Sequence, residues 1–143
     1  MPDKRSNKLK KKKGKGGNRI LAPSTKDTPS SDLSCPVFSL EYLQKGYCVK
    51  DCNSKDKADF AVQLRQLSEL NWRQLRAADR HGLGYEKISK KSIKPGTPPH
   101  ITDDVTLIAF RFSGKKPMVG YRDGRTFYVV WLDRDFSLYD HGS

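Results

Sequence analysis

The C-terminal third of the chain alternates between short apolar runs and turn signals. Four runs rich in β-branched and aromatic residues lie between residues 106 and 141, separated by residues 113–116, by Asp123 and Gly124, and by residues 133–135. Apolar runs bounded by turn residues are typical of antiparallel strands. An Asp-Gly pair suits a two-residue hairpin turn because glycine accepts the positive φ that this turn needs. The pattern therefore predicts a four-stranded antiparallel meander.

Side chains alternate between the two faces of a strand, so the predicted meander has one apolar face and one more polar face. The face expected to form the core carries Ile108, Phe110, Phe112, Val119, Tyr121, Phe127, Val129, Trp131, Phe136 and Leu138. The opposite, open face carries Leu107, Ala109, Arg111, Met118, Arg122, Tyr128, Tyr139 and His141. This second face is either an ordinary solvated face of an antiparallel sheet or a functional site.

One strand and two helices are predicted before the meander. Residues 36–43 suit a first strand, and residues 54–70 place apolar side chains every three or four positions, as an amphipathic helix does. Asn71 and Gln74 have the spacing of a capping box at the start of a shorter second helix. The expected fold class is α+β, with two N-terminal helices packed on a four- to five-stranded, mainly antiparallel sheet.

The first 35 residues differ in character from the rest of the chain. They contain no apolar period, so we expect residues 1–35 to form a disordered basic tail before a domain over residues 36–143. Residues 1–19 hold nine Lys or Arg and one Asp, which is +8 of the net charge of +12. Such a tail suits a polyanionic partner, although a merely solubilising tail has the same composition. The RNA contacts predicted in it are Lys10, Lys11, Lys12 and Lys13.

Cysteine count and hydropathy set the expected environment. The three cysteines, Cys35, Cys48 and Cys52, are odd in number and follow no apolar leader, which argues against a secreted disulfide protein. No run approaches the roughly 18 apolar residues that span a bilayer. The chain is expected to be cytoplasmic, with no membrane partner. Cys48 and Cys52 have no second Cys/His pair nearby, so a zinc site would have to recruit Cys35 and a distant His81, His100 or His141, whereas small buried thiols need no partner. No phosphate-binding glycine loop or His-Glu-x-x-His helix is present, and the expectation is no cofactor and no metal.

The order strand, helix, helix and antiparallel meander, in a small basic chain, resembles the RelE/ParE superfamily of toxins from bacterial type II toxin–antitoxin systems. Arg111 and Arg122 on successive strands carry the resemblance, together with the ending Leu-Tyr-Asp-His over residues 138–141. It covers about residues 36–141 and implies a microbial-RNase-like sheet that cuts messenger RNA at the ribosome. It also implies a cognate antitoxin protein. The basic tail and the long segment 80–99 depart from the family's pattern, and no acidic base is evident on the meander.

RNA can be cleaved without a metal when its 2′-hydroxyl attacks the adjacent phosphate. The step needs a base, cations for the phosphorane and an acid for the leaving oxygen. Arg111 and Arg122 are the predicted phosphate-binding cations, because a guanidinium fork matches a phosphate. Histidine ordinarily titrates near neutral pH, so His141 is the predicted acid or base. Tyr139 is a proton donor or a stacking surface, and Tyr128 on the same face is a predicted RNA contact.

The loop after the second helix holds further titratable side chains between glycines. His81 and Glu86 become candidates for the base only if this loop folds over the sheet, whereas the loop also suits an ordinary helix exit. The predicted function is a metal-independent endoribonuclease toxin. Two alternatives stay open: a non-catalytic RNA- or ribosome-binding module, and a toxin of the same fold that inhibits a protein target.

Overall fold

The computed structural model of the protein describes residues 29–141, and this part of the chain has an α+β fold. Its helices are α1 (Pro29–Asp32), α2 (Ser54–Leu67) and α3 (Trp72–Ala77), with short 3-10 turns at Val49–Asp51 and Lys90–Ser92. Its strands are β1 (Val37–Ser39), β2 (Glu86–Ile88), β3 (Leu107–Ser113), β4 (Lys116–Asp123) and β5 (Thr126–Leu132). None of the helices in residues 29–141 has the length and apolar character needed to cross a bilayer.

The five strands form one mixed sheet in the order β1-β5-β4-β3-β2. The first strand runs parallel to β5, and the other three pairings are antiparallel. The expected α+β class, with a mainly antiparallel sheet and two principal helices, is therefore confirmed. The segment after the second helix, predicted to be a loop, contains a further strand, β2, which pairs with β3 at the edge of the sheet.

Local sequence signals fix the starts of the two longer helices. Asn53 caps α2, because its Oδ1 accepts from the backbone N–H of Asp56 at 2.8 Å. The predicted capping box of α3 is confirmed: Asn71 Oδ1 accepts from Gln74 N, and Gln74 Oε1 accepts from Asn71 N, both at 2.8 Å. The predicted hairpin between β4 and β5 forms, but its two turn residues are Gly124, at φ 63°, and Arg125, because Asp123 ends β4 and pairs with Thr126.

Both faces of the sheet are buried, so the prediction of one open face is wrong. The helices cover a first core of Cys52, Phe60, Leu67, Trp72, Leu75, Ile108, Phe110, Phe112, Met118, Phe127, Val129 and Leu132. The opposite face carries a second core of Ile93, Ile101, Leu107, Ala109, Val119, Val130, Trp131, Leu138 and Tyr139. Irregular segments before β3 and after β5 supply four of these nine residues, which is why the second face is not solvated.

A β-bulge explains why the predicted faces mix the two cores. Val119 pairs with Trp131 and Gly120 pairs with Val129, so Val130 is an extra residue in β5. Trp131 is buried, as predicted, but it lies on the opposite side of the sheet from Val129.

The phase predicted for β4 was also wrong by one residue. Met118 pairs with Phe110 and packs under the helices, whereas Val119 pairs with Ala109 and belongs to the second core. A slip of one residue moves every side chain of a strand to the other face. Arg122 therefore lies on the helix side, away from the face that carries Arg111.

The predicted fourth strand of the meander does not form. After β5 the chain turns at Asp133, and Phe136 has φ 59°, which lies outside the β region. Leu138, predicted to share a face with Phe127, packs instead in the second core.

The domain begins earlier than residue 36. Asp32 Oδ1 accepts from Arg122 at 2.7 Å, and this hydrogen bond is the main reason that the pKa of the Asp32 carboxyl is lowered. The backbone N–H of Trp72 also donates to the Ser34 carbonyl at 3.1 Å. Asp32 and Ser34 therefore belong to the ordered structure and not to the predicted tail. The rest of that prediction, over residues 1–28, lies outside the described residues.

We expect Gly120→Ala to disrupt the β4–β5 pairing at the bulge. A Cβ at Gly120 would lie 1.8 Å from the Tyr128 carbonyl oxygen, a backbone atom that cannot yield without breaking the register. Overpacking of this kind should lower the free energy of unfolding by about 3 kcal/mol in urea titration. Gly82→Ala is the control, since its Cβ would meet only the Asp79 carbonyl oxygen at 3.5 Å. Equal unfolding midpoints for the two variants would contradict this account of the bulge.

Candidate active site

Asp133 organises the segment that follows β5. Its side chain is fully buried, and its Oδ1 accepts from the backbone N–H groups of Ser137 at 2.8 Å and Leu138 at 3.2 Å. Its other oxygen, Oδ2, lies 3.1 Å from Nε2 of His141. Because a carboxylate oxygen accepts, Nε2 of His141 carries a proton, and in the neutral imidazole Nδ1 carries the lone pair. The C-terminal segment thus presents an imidazole oriented by a buried carboxylate.

Tyr139 lies against this imidazole. The two rings are 4.1 Å apart between centroids and are inclined by 31°. Burial, assisted by the Glu86 and Asp133 carboxylates and opposed by Arg111, raises the pKa of the Tyr139 phenol to about 12. The phenol therefore stays protonated at neutral pH, where it can donate a hydrogen bond.

Arg111 joins β3 to the loop after α3. Its Nη2 lies 2.9 Å from Nδ1 of His81, and its Nη1 donates to the His81 carbonyl at 3.4 Å. A guanidinium only donates, so Nδ1 of His81 accepts and the proton of this imidazole is on Nε2. The loop after α3 folds over the sheet and brings His81 to Arg111. This is the condition under which the sequence makes His81 a candidate for the base.

Glu86 reaches the same place through β2. It pairs with Ala109 of β3, and its carboxylate forms an ion pair with Arg80. The ion pair with Arg80 joins the start of the loop to β2, and the pairing of Glu86 with Ala109 joins β2 to the sheet.

These groups line one open cleft of about 560 Å³ at the edge of the second core. The charged and titratable residues on its wall include Arg80, His81, Glu86, Lys87, Arg111, Lys115, Tyr139 and His141. Two imidazoles with cations on several sides suit a phosphate and proton transfer to or from its oxygens. Within residues 29–141, no group of three or more His, Cys, Asp or Glu side chains is arranged to hold a metal ion.

Three of the four predicted catalytic residues, Arg111, Tyr139 and His141, meet in this cleft, and Arg122 does not. The guanidinium of Arg122 is 2.7 Å from Asp32 and lies over the ring of Trp72, 4.5 Å from its centroid. It is an internal ion pair and cation–π contact on the helix side. The slip of one residue in β4 explains the error.

Tyr128, one of the predicted RNA contacts, lies outside the cleft. Tyr128 stacks on Tyr121, with ring centroids 5.1 Å apart, and also contacts Tyr42. Burial raises the pKa of the Tyr128 phenol. This aromatic cluster is not part of the cleft wall. Lys10, Lys11, Lys12 and Lys13 lie outside the described residues.

Two site residues were missed by the sequence reasoning. Asp133 is predicted only as a turn residue, although an Asp directly after an apolar strand can close a loop on itself, as Asp133 does by accepting from the backbone N–H of Ser137. Arg80 had no distinguishing signal, since only the tertiary pairing of β2 with β3 brings Glu86 beside it.

Comparison of the chain with protein-family models, with curated proteins and with solved structures finds no match.

We expect Asp133→Ala to destabilise the fold strongly. The change leaves two backbone N–H groups without their acceptor, and each buried unsatisfied donor costs about 1–3 kcal/mol. The free energy of unfolding in urea should fall by about 3 kcal/mol. Asp135→Ala, two residues away and exposed, is the control and should change it by less than about 1 kcal/mol. If the two variants lose the same stability, Asp133 does not organise this segment.

Proposed function

We propose that the protein is an endoribonuclease that cleaves single-stranded RNA without a metal, by attack of the 2′-hydroxyl on the adjacent phosphate. The observation that carries the proposal is the cleft in which His141, oriented by the buried Asp133, faces the same space as Arg111 and His81. The substrate supplies its own nucleophile, so the protein has to supply only proton transfer and positive charge.

Each proton and bond has an assignment in this mechanism. Nδ1 of His141 takes the 2′-hydroxyl proton, and Asp133 stabilises the imidazolium that forms. The O2′–P bond then forms and the P–O5′ bond breaks. Arg111 turns from His81 to the phosphate oxygens, which leaves Nδ1 of His81 free to take a proton from water before the reaction. His81 delivers that proton to the leaving O5′, and His141 afterwards returns the 2′-hydroxyl proton to water. The products are a 2′,3′-cyclic phosphate and a 5′-hydroxyl end.

The remaining cleft residues have supporting roles. The Tyr139 phenol, which keeps its proton at neutral pH because its pKa is about 12, donates a hydrogen bond to a phosphate oxygen. Arg80 adds positive charge, and its ion pair with Glu86 limits the repulsion between that carboxylate and the RNA.

We further propose that the chain is a RelE-like toxin, acting on messenger RNA at the ribosome and held inactive by a cognate antitoxin. The order strand, helix, helix and meander, and the pairing of the first strand with the last, support this proposal. The basic residues Lys10, Lys11, Lys12 and Lys13 would add affinity for RNA that does not depend on its sequence.

The cleavage proposal predicts that the wild type cuts a labelled single-stranded RNA in the presence of EDTA, and that variants of the cleft lose this activity. His141→Ala and Arg111→Ala should each lower the rate by about a hundredfold to a thousandfold, because each removes a group that acts in the transition state. Arg122→Ala is the matched control: an arginine outside the cleft, whose loss weakens the fold but should leave the rate of the folded protein near that of the wild type.

Circular dichroism at the assay temperature establishes that each variant is folded. The RNA product should carry a 2′,3′-cyclic phosphate. Rates equal to wild type in both cleft variants would contradict the site. Binding of RNA without any cleavage would favour the alternative, a non-catalytic RNA-binding module.

The tail proposal predicts a change in salt dependence. Replacing Lys10, Lys11, Lys12 and Lys13 by Ala should reduce the slope of log K against log salt by about 3 for single-stranded RNA, because four phosphate contacts are lost. The control replaces four exposed charges of the folded domain, Lys45, Lys50, Lys57 and Arg73. Fluorescence anisotropy across a salt series measures both slopes. Equal changes in the two variants would mean that the tail contributes net charge and no contacts.

A further inference from the structure

Phe136 has a backbone conformation that its side chain does not favour. Its φ is 59°, and it is the one non-glycine residue with positive φ among residues 29–141. Glycine and asparagine accept this region readily, whereas a bulky side chain there is strained. The neighbouring hydrogen bonds from Ser137 and Leu138 to Asp133 hold the loop in this shape.

The ring of Phe136 is only partly buried in return for this strain. It is 42% exposed and belongs to neither core. Strained conformations persist where the surrounding structure imposes them, and they are concentrated at functional sites. A glycine at this position would accept the same turn with no apolar surface in water, so packing alone does not account for the phenylalanine.

The position of the ring indicates what it serves. Phe136 lines the cleft together with Arg111, Tyr139 and His141. Its ring is edge-on to the imidazole of His141, with centroids 5.2 Å apart and planes at 90°. An exposed aromatic ring therefore borders the imidazole to which the proposed mechanism assigns the 2′-hydroxyl proton.

We propose that Phe136 is the stacking surface for one unpaired base, in the nucleotide next to the phosphate that Arg111 binds. This inference rests on the proposed function of the cleft. Stacking on an aromatic ring accepts any base, because every base has a π-face. It requires the base to be unstacked from its own strand, which single-stranded RNA allows and an A-form duplex opposes. The ring would select single strands without reading their sequence.

The test separates binding from cleavage. The probe is a fluorescein-labelled 2′-O-methyl oligoribonucleotide of mixed sequence, about 12 nucleotides long, within the span of known single-strand sites. The methyl group blocks the 2′-oxygen, so anisotropy reports affinity alone. A second probe has the same length but abasic sugars throughout, and keeps the phosphates without the bases.

Phe136→Gly should weaken binding of the base-containing probe by about tenfold to a hundredfold, the range expected for one lost stack. Its affinity for the abasic probe should stay unchanged, and Phe136→Trp should restore binding of the base-containing probe. The thermal midpoint should not fall, since glycine relieves the strained φ. Leu40→Ala is the matched control: Leu40 is also 42% exposed but lies outside the cleft.

Three results would overturn the proposal: unchanged affinity in Phe136→Gly, an equal loss for the base-containing and abasic probes, or no binding of the base-containing probe by the wild type. The cleavage assay decides the proposed function separately. If the protein binds the base-containing probe through Phe136 but cuts no RNA, the stacking proposal stands and the nuclease proposal fails. If Phe136→Gly and wild type cut RNA equally well and bind the probe with equal affinity, the nuclease proposal stands and the stacking proposal fails.

Discussion

The C-terminal part of the structure depends on one buried carboxylate. Asp133 accepts two backbone hydrogen bonds through one oxygen and faces His141 through the other. These bonds end the last strand and fold the chain back, so that Leu138 enters the second core and the residues after it reach the cleft. The same bonds hold Phe136 at positive φ. A single acceptor therefore links the packing of the loop to the orientation of the imidazole, and removing it would affect both.

The second constraint is that the sheet has a core on each face. The cleft lies where the segments that cover the second face leave a gap. That gap lies beside Arg111, between the loop that carries His81 and the segment that ends at His141. The bulge at Val130 contributes, because it turns both Val130 and Trp131 into the second core. The site is thus assembled from parts of the chain that are distant in sequence, each fixed by its own contact with the sheet.

Features set by neighbouring residues could be predicted from the sequence. The hairpin between β4 and β5, the Asn71 capping box and the three strands Leu107–Ser113, Lys116–Asp123 and Thr126–Leu132 all follow from local turn and capping chemistry and from apolar runs, although the hairpin turn itself lies one residue further along, at Gly124 and Arg125. The grouping of Arg111, Tyr139 and His141 was predicted too, but from a fourth strand that does not exist. The meeting point comes instead from the loop closed by Asp133.

Features set by tertiary contact could not be predicted in this way. The bulge depends on the close approach of the Gly120 backbone to the Tyr128 carbonyl, and the apolar periodicity of the sequence gives no sign of this contact. The bulge places Trp131 and Val129 on opposite faces of the sheet. The phase of β4 placed Arg122 wrongly for the same kind of reason, since Met118 and Val119 are both apolar and give no preference.

The most direct test of the account is the tautomer of His141, measured by ¹⁵N NMR of the imidazole nitrogens in wild type and Asp133→Asn. The account predicts that neutral His141 in the wild type carries its proton on Nε2, bonded to Asp133, and that this preference is lost in Asp133→Asn. A proton on Nδ1 in the wild type would contradict it.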